Sequence, residues 1–441
     1  SCVMQACWTT QGWFPQLARA PAIRTSMLEL LISRTAHACP SVQDAALWAL
    51  TTFAEAEDFC DSGYATRFLE VATAASSSPA KPVQVAAMDL LATCSRKATG
   101  PAADDAAKAI SGLVERLQGS MSHEELAIVL STLCDGYECL ETEKQAEMLR
   151  HTRRIASELV GRMRTEEDVE AVEDALSSAA DLLGICPIER DAAAMRHDVE
   201  LGLRMLQDGN SALQQAGAAL LGDLASRGGG GHRELFEPIL MPLATLGEHT
   251  PLDTLVNCTW ALSEILHRIH GLDVDDFTAV TVQTFCLNCV KFAELRVNAV
   301  CALCHLAQVS PNITSRWLFI QEGGLGGITQ CMLMLGEVSE RQREKISTGI
   351  RSLVYALLDS VHFAHESTLP PHSLLHSVGE LLKTPLALSV EDTEFVQRAA
   401  QLLNELFSLV EESRRPLFID ETLANRYPGA YTGVMGSLVK G

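Results

Sequence analysis

An internal repeat constrains this chain more than any other feature. Ser41–Leu50 reads SVQDAALWAL and Pro82–Leu91 reads PVQVAAMDLL, one pattern displaced by about forty residues. Ala212–Leu221 (ALQQAGAALL), Thr254–Leu262 (TLVNCTWAL) and Leu295–Leu303 (LRVNAVCAL) carry it onward. Cys2–Trp8 (CVMQACW) fits as the second helix of a repeat whose first helix is missing. In each copy the apolar residues recur three and four apart, the spacing of one helix face. Such a helix buries its stripe only against a neighbour, so the copies must stack.

Between the copies run further segments of helical period. They are roughly Ala22–Ala36, Tyr64–Ala75, Ala103–Leu117, Glu143–Met163, Ala192–Gln207, Arg233–Leu246, Val274–Val290 and Trp317–Leu335. Each pairs with a repeat helix as an antiparallel hairpin, with turns rich in Pro, Gly, Asp and Ser at Ala38–Pro40, Ser76–Pro82 and Asp208–Ser211. Val338–Leu358, Pro371–Lys383 and Val390–Glu411 continue the helical pattern less regularly.

Length alone would divide 441 residues into about three domains. A stack grows by addition, so the repeat overrides that prior. The sequence predicts an all-α, right-handed α-α superhelix, a solenoid of about ten hairpins of the HEAT or armadillo type. It covers residues 1–415 with its first repeat truncated, and a cap over 416–441 follows, where Pro, Gly and Tyr break the period. The chain opens at Ser1 directly into helix-like sequence, as expected of a fragment.

The net charge is −22, from 56 acidic and 34 basic residues. That field disfavours nucleic acid and anionic membrane and favours basic partners. The fourteen cysteines lie mostly in apolar helical runs, as small buried hydrophobes of a reducing compartment do. Neither a signal peptide nor an apolar span of membrane length stands out, so the expectation is a soluble, intracellular protein.

Cys286-x-x-Cys289 and Cys301-x-x-Cys304 have the spacing of a zinc site. They lie in the apolar helical runs FCLNCV and VCALCHL. A hairpin turning near Ala293 would leave Cys289 and Cys304 roughly 10 Å apart along the axis at about 1.5 Å per residue, so core cysteines are the expectation and no metal or other cofactor is assigned. Gly228–Gly231 is followed by His232 and Arg233, not by the Lys-Ser/Thr of a phosphate loop, and reads as a connection. With no catalytic triad or paired zinc-binding histidines in view, the chain is not read as an enzyme.

The second helices of the hairpins, which would line the concave side of such a stack, carry a stronger signal. Trp48 and Glu55 are seven residues apart, as are Asp174 and Asp181. Asp223 occupies the comparable turn of ALLGDLASR, and Asn257, Trp260 and Glu264 share one face of their helix. Trp8 stands almost where Trp260 does in its own repeat, and Thr132 and Asp135 lie in the fourth hairpin. Together they predict a ladder of acids with indoles at intervals.

Among the motifs ACWTTQGWF at Ala6–Phe14, VQDAALWAL at Val42–Leu50, ALLGDLAS at Ala219–Ser226, NCTWALSEI at Asn257–Ile265 and NAVCALCHLAQVSP at Asn298–Pro311, the Gly-Asp-Leu and Asn-x-Thr-Trp-Ala segments are fairly specific and the rest are generic to HEAT helices. Through them the chain resembles the C-terminal, cargo-binding half of the transportins, nuclear import receptors of the importin-β superfamily. The resemblance implies binding of disordered signals, basic or hydrophobic at one end and finishing in Pro-Tyr. It places the family's binding tryptophans on Trp8 and Trp260, its acidic contacts on Glu55, Asp174, Asp181 and Asp223, and a neighbouring threonine on Thr132. The GTPase Ran would be bound by an N-terminal half lying outside this sequence, nucleoporins would be further partners, and the protein would shuttle between cytoplasm and nucleus. Gln5 and Ile128 depart from the family's pattern, which has an apolar residue and a carboxylate there. The alternative is a HEAT-repeat scaffold or adaptor that holds a folded protein partner.

Overall fold

The computed structural model of the chain describes residues 21–55, 64–162, 169–186, 191–228, 232–246, 250–269, 272, 274–309, 324–334, 339–361 and 370–431. Those residues are helical, with no strand among them. They belong to two units, Ser1–Glu189 and Arg190–Gly441.

In the first unit four hairpins follow one another: α1 (Pro21–Arg34) with α2 (Pro40–Ala54), α3 (Ala65–Ala75) with α4 (Lys81–Lys97), α5 (Pro101–Arg116) with α6 (His123–Gly136), and α7 (Thr142–Arg162) with α8 (Val169–Ile185). The second helices pack side by side in the order α2, α4, α6, α8, and α3, α5 and α7 form the other layer. The second unit repeats the plan. Its second helices are α10 (Ser211–Gly228), α13 (Leu252–Arg268), α15 (Arg296–Val309), α17 (Glu340–Ser360) and α20 (Thr393–Leu409), each against the next. The other layer runs through α9 (Ala192–Leu206), α11 (Arg233–Phe236), α12 (Leu240–Ala244), α14 (Asp276–Cys289), α16 (Gly324–Met334) and α18 (Pro371–Leu382). The short helices α19 (Pro385–Leu388) and α21 (Glu421–Arg426) complete it. Stacked hairpins with two helices per repeat are the all-α architecture that the forty-residue period implies.

Helix starts follow local chemistry. Proline opens α2, α5 and α18, where a missing N–H costs nothing. Ser122 accepts from the Glu125 amide to cap α6, Asp275 accepts from Phe277 and Thr278 to cap α14, and Ser339 with Gln342 forms a reciprocal capping box on α17. A second helix has neighbours on several sides, so its burial is nearly all round. In α4, Val83, Ala86, Ala87, Met88, Leu90 and Leu91 are all buried. Each leucine sealed this way contributes about 2 kcal/mol.

Two details shape the second unit. Gly217 of α10 lies so close to α9 that a Cβ there would meet the Gly202 carbonyl oxygen at 2.6 Å and the Leu206 nitrogen at 2.7 Å, so the two backbones touch. The helix expected over Arg233–Leu246 is instead α11, a 3₁₀ turn at Glu237–Ile239, and α12. Pro238 and Pro242 lack the amide that a continuous helix needs, which accounts for the break.

After α20 the chain folds back on the last hairpin. The buried Tyr427 packs its ring edge against Phe395 and donates its hydroxyl to the Leu382 carbonyl at 3.2 Å. Tyr431 meets Phe407 edge-on.

Candidate functional site

The candidate residues of the first unit lie along its second helices. On α2 the indole of Trp48 is 40% exposed. It hydrogen-bonds the Asp44 carboxylate one turn earlier, which partly offsets the rise in Asp44 pKa caused by burial. Glu55 is exposed just past the end of α2, and its backbone carbonyl takes a hydrogen bond from the Lys97 ammonium of α4. On α4, burial first and then the charges of Glu55 and Asp135 raise the Asp89 carboxyl, while Arg96 pulls it down. Asp135 of α6 is exposed and meets Arg96 at 2.6 Å.

On α8, Asp174 and Asp181 are exposed. Crowding raises the Asp181 carboxyl although part of that side chain remains open to water. The Cys134 thiol of α6, donating to the Ser178 carbonyl of α8 at 3.5 Å, is pushed up by burial and by Asp181 and Asp135. Glu55, just past α2, and Asp135 on α6 thus lie close enough to Asp89 on α4 to raise it, with Arg96 as a cation among them, while Asp181 on α8 shares with Asp135 an influence on Cys134. Thr132 takes no part in this. It is buried and donates its hydroxyl to the Ile128 carbonyl of its own helix at 2.8 Å.

In the second unit the geometry centres on α10 and α13. The benzo half of the Trp260 indole rests on Gly222, where a Cβ would meet Cζ3 at 2.5 Å and Cε3 at 2.6 Å. Trp260 remains partly exposed, and the residue after its seat is Asp223, whose carboxylate lies 3.8 Å from Arg227. Thr254 donates to the Ser211 carbonyl at 3.3 Å and Asn257 to the Gln215 carbonyl at 3.1 Å, which fixes α13 along α10.

Glu264, one turn on, reaches toward α17 instead. It is 8% exposed and pairs with Lys345 of α17 at 2.9 Å and with Arg268 at 3.6 Å. Lys345 also donates to Asn298 of α15 at 3.3 Å. Beside this pair the buried His305 stacks on His267, ring centroids 4.5 Å apart. Burial, then His267 and Lys345, hold His305 down to about 3, so its ring is neutral.

The sequence-derived candidates therefore divide. Trp260 packs on Gly222, the residue before Asp223, and Glu55 and Asp135 flank Asp89. Asn257, Glu264 and Thr132 are engaged in holding helices. Trp8 lies outside the described residues. Asp89 was missed, although aligning PVQVAAMDLL with SVQDAALWAL puts it in the register of Trp48. Gly222 was missed as well, since its role depends on the ring laid over it.

Cys286, Cys289, Cys301 and Cys304 are buried, their thiols pushed up by desolvation, as expected of core cysteines. Among the described residues no three His, Cys, Asp or Glu side chains are grouped to hold a metal. Among them, too, no helix is long and apolar enough to cross a membrane.

In comparisons with known proteins, no protein-family model and no curated protein sequence matches. The chain is similar to the crystal structure of an engineered protein from the Northeast Structural Genomics Consortium, with a TM-score of 0.56 and 16% identity over 90% of this chain and 92% of that one. The crystal structure of a Kap121p mutant matches at a TM-score of 0.43 and 11% identity, over 94% of this chain and 46% of that one. The first likeness concerns the fold alone.

Proposed function

We propose that this chain is the cargo-binding part of a nuclear import receptor of the importin-β superfamily, taking basic, disordered segments that end in Pro-Tyr. The observation that carries the reading is the partly exposed Trp260 indole of α13 seated on Gly222 of α10, the residue before Asp223. An indole face and a carboxylate side by side suit a cationic or apolar side chain of an extended peptide. The sequence motifs around both residues support the same reading, as do the exposed acids of the first unit, which favour a basic ligand. A disordered segment loses entropy on binding, so a few hot spots must carry much of its affinity.

The expected outcome is that Trp260→Ala weakens binding of an Arg- and Lys-containing Pro-Tyr peptide by about 2 kcal/mol, the hot-spot scale. Isothermal titration calorimetry measures it, with circular dichroism reporting on the fold. Unchanged affinity in a folded variant removes the reading.

A further inference from the structure

We infer that Gly222 is a positioning residue for peptide binding: its bare Cα is the seat that holds the Trp260 indole beside Asp223. This inference rests on the receptor reading of that site. Glycine inside a helix costs stability relative to alanine, because it adds backbone freedom to the unfolded chain. Gly222 lies within the eighteen-residue helix α10, and the structure gives it a use. A Cβ at this position would fall 2.5 Å from Cζ3, 2.6 Å from Cε3 and 3.0 Å from Cη2 of Trp260, inside any van der Waals contact.

The ring has to give way, because its helix is held. Thr254 and Asn257 tie the first half of α13 to carbonyls of α10. Glu264, one turn beyond Trp260, ties the second half to Lys345 of α17. With both halves of α13 fixed, an added methyl at 222 is accommodated by rotating the indole off α10 and away from Asp223. The carboxylate and the helix remain, and their juxtaposition with the ring is lost. Gly222 thereby sets whether one ligand side chain meets both groups at once.

The test is a double-mutant cycle in the full chain with Gly222→Ala and Trp260→Ala, read by affinity for a fluorescent Arg- and Lys-containing Pro-Tyr peptide. Gly222→Ala is expected to weaken binding about tenfold, as does displacing a hot-spot side chain. It should cost nothing further once Trp260 is alanine. The intrinsic fluorescence should also differ between wild type and Gly222→Ala, and the difference should vanish when both carry Trp260→Phe.

Additive losses, or a spectral change that survives without the indole, overturn the inference. If Trp260→Ala weakens binding and Gly222→Ala does not, the inference fails and the receptor reading stands. If Trp260→Ala leaves binding unchanged, the receptor reading fails, and the inference with it. Should Gly222→Ala unfold the chain, adding Trp260→Ala is expected to restore the fold by vacating the ring's space. Failure of that rescue also overturns the inference.

Discussion

The second helices of the two units set their paired acids in different surroundings, open to water in the first and buried in the second. In the first unit, Glu55, Asp135, Asp174 and Asp181 are exposed; Glu55 and Asp135 raise the Asp89 carboxyl, Arg96 lowers it, and Arg96 pairs with Asp135 at 2.6 Å. In the second, Glu264 is buried against Lys345 and Arg268, and Asp223 leans toward Arg227. The same helical register presents an open carboxylate in one place and an internal tie in the other. What differs is burial and the source of the cation: Lys345 of α17, two helices along the row, meets a buried Glu264, whereas Arg96 of α4 meets an exposed Asp135 on the adjoining α6.

The largest way to break this contrast is to remove the internal tie. Glu264→Ala leaves the Lys345 ammonium without its carboxylate in a largely dry setting, and should destabilise the second unit by about 4 kcal/mol in denaturant unfolding. Glu264→Leu combined with Lys345→Met should recover most of that loss, since a well-packed apolar pair replaces a buried ion pair at little cost.

Next comes His305. Its pKa lies near 3 in the fold against 6.5 as its ordinary value, so between those values the unfolded chain binds the extra proton. Stability therefore falls as pH drops below about 6.5, by roughly 3 kcal/mol on reaching pH 4. In His305→Leu that part of the acid sensitivity should disappear, read from urea unfolding at the two pH values.

The smallest effect sharpens the open side of the comparison. Burial raises the Asp181 carboxyl, so ionising it costs stability as pH climbs past the ordinary aspartate range. Asp181→Asn should stabilise the chain at neutral pH by about 0.5 kcal/mol or less. That gain should vanish in acid, where the native carboxyl is already protonated. The same variant should weaken binding of a basic peptide, and more so at low salt than at high.

The sequence makes the stacking legible because five of the second helices carry one pattern of nine or ten residues. The copies at Ser41, Pro82, Ala212, Thr254 and Leu295 all fall in α2, α4, α10, α13 and α15. Local breakers were legible too, but underweighted: Pro238 and Pro242 interrupt Arg233–Leu246 where the apolar period alone runs on.

The side chains were harder to read. Glu264 shares a helix face with Asn257 and Trp260 by spacing, yet its partner Lys345 is far along the chain and no local pattern announces it. Thr132 turns inward because its hydroxyl has the Ile128 carbonyl within reach, a choice spacing cannot see. Trp260 and Asp223 were readable as candidates, while the ring's seat on Gly222 depends on a packing between helices that no local pattern announces.

The proline break opposite α13 has a mechanical consequence. Behind the helix bearing Trp260, the outer layer is made of short pieces, α11 and α12, joined through a 3₁₀ turn. Amides in those pieces should exchange with solvent at a lower opening cost than the amides of α13, whose seventeen residues are continuous. The front helix is continuous and its back is jointed, so any bending of this hairpin should concentrate in the 3₁₀ turn and leave α13 straight.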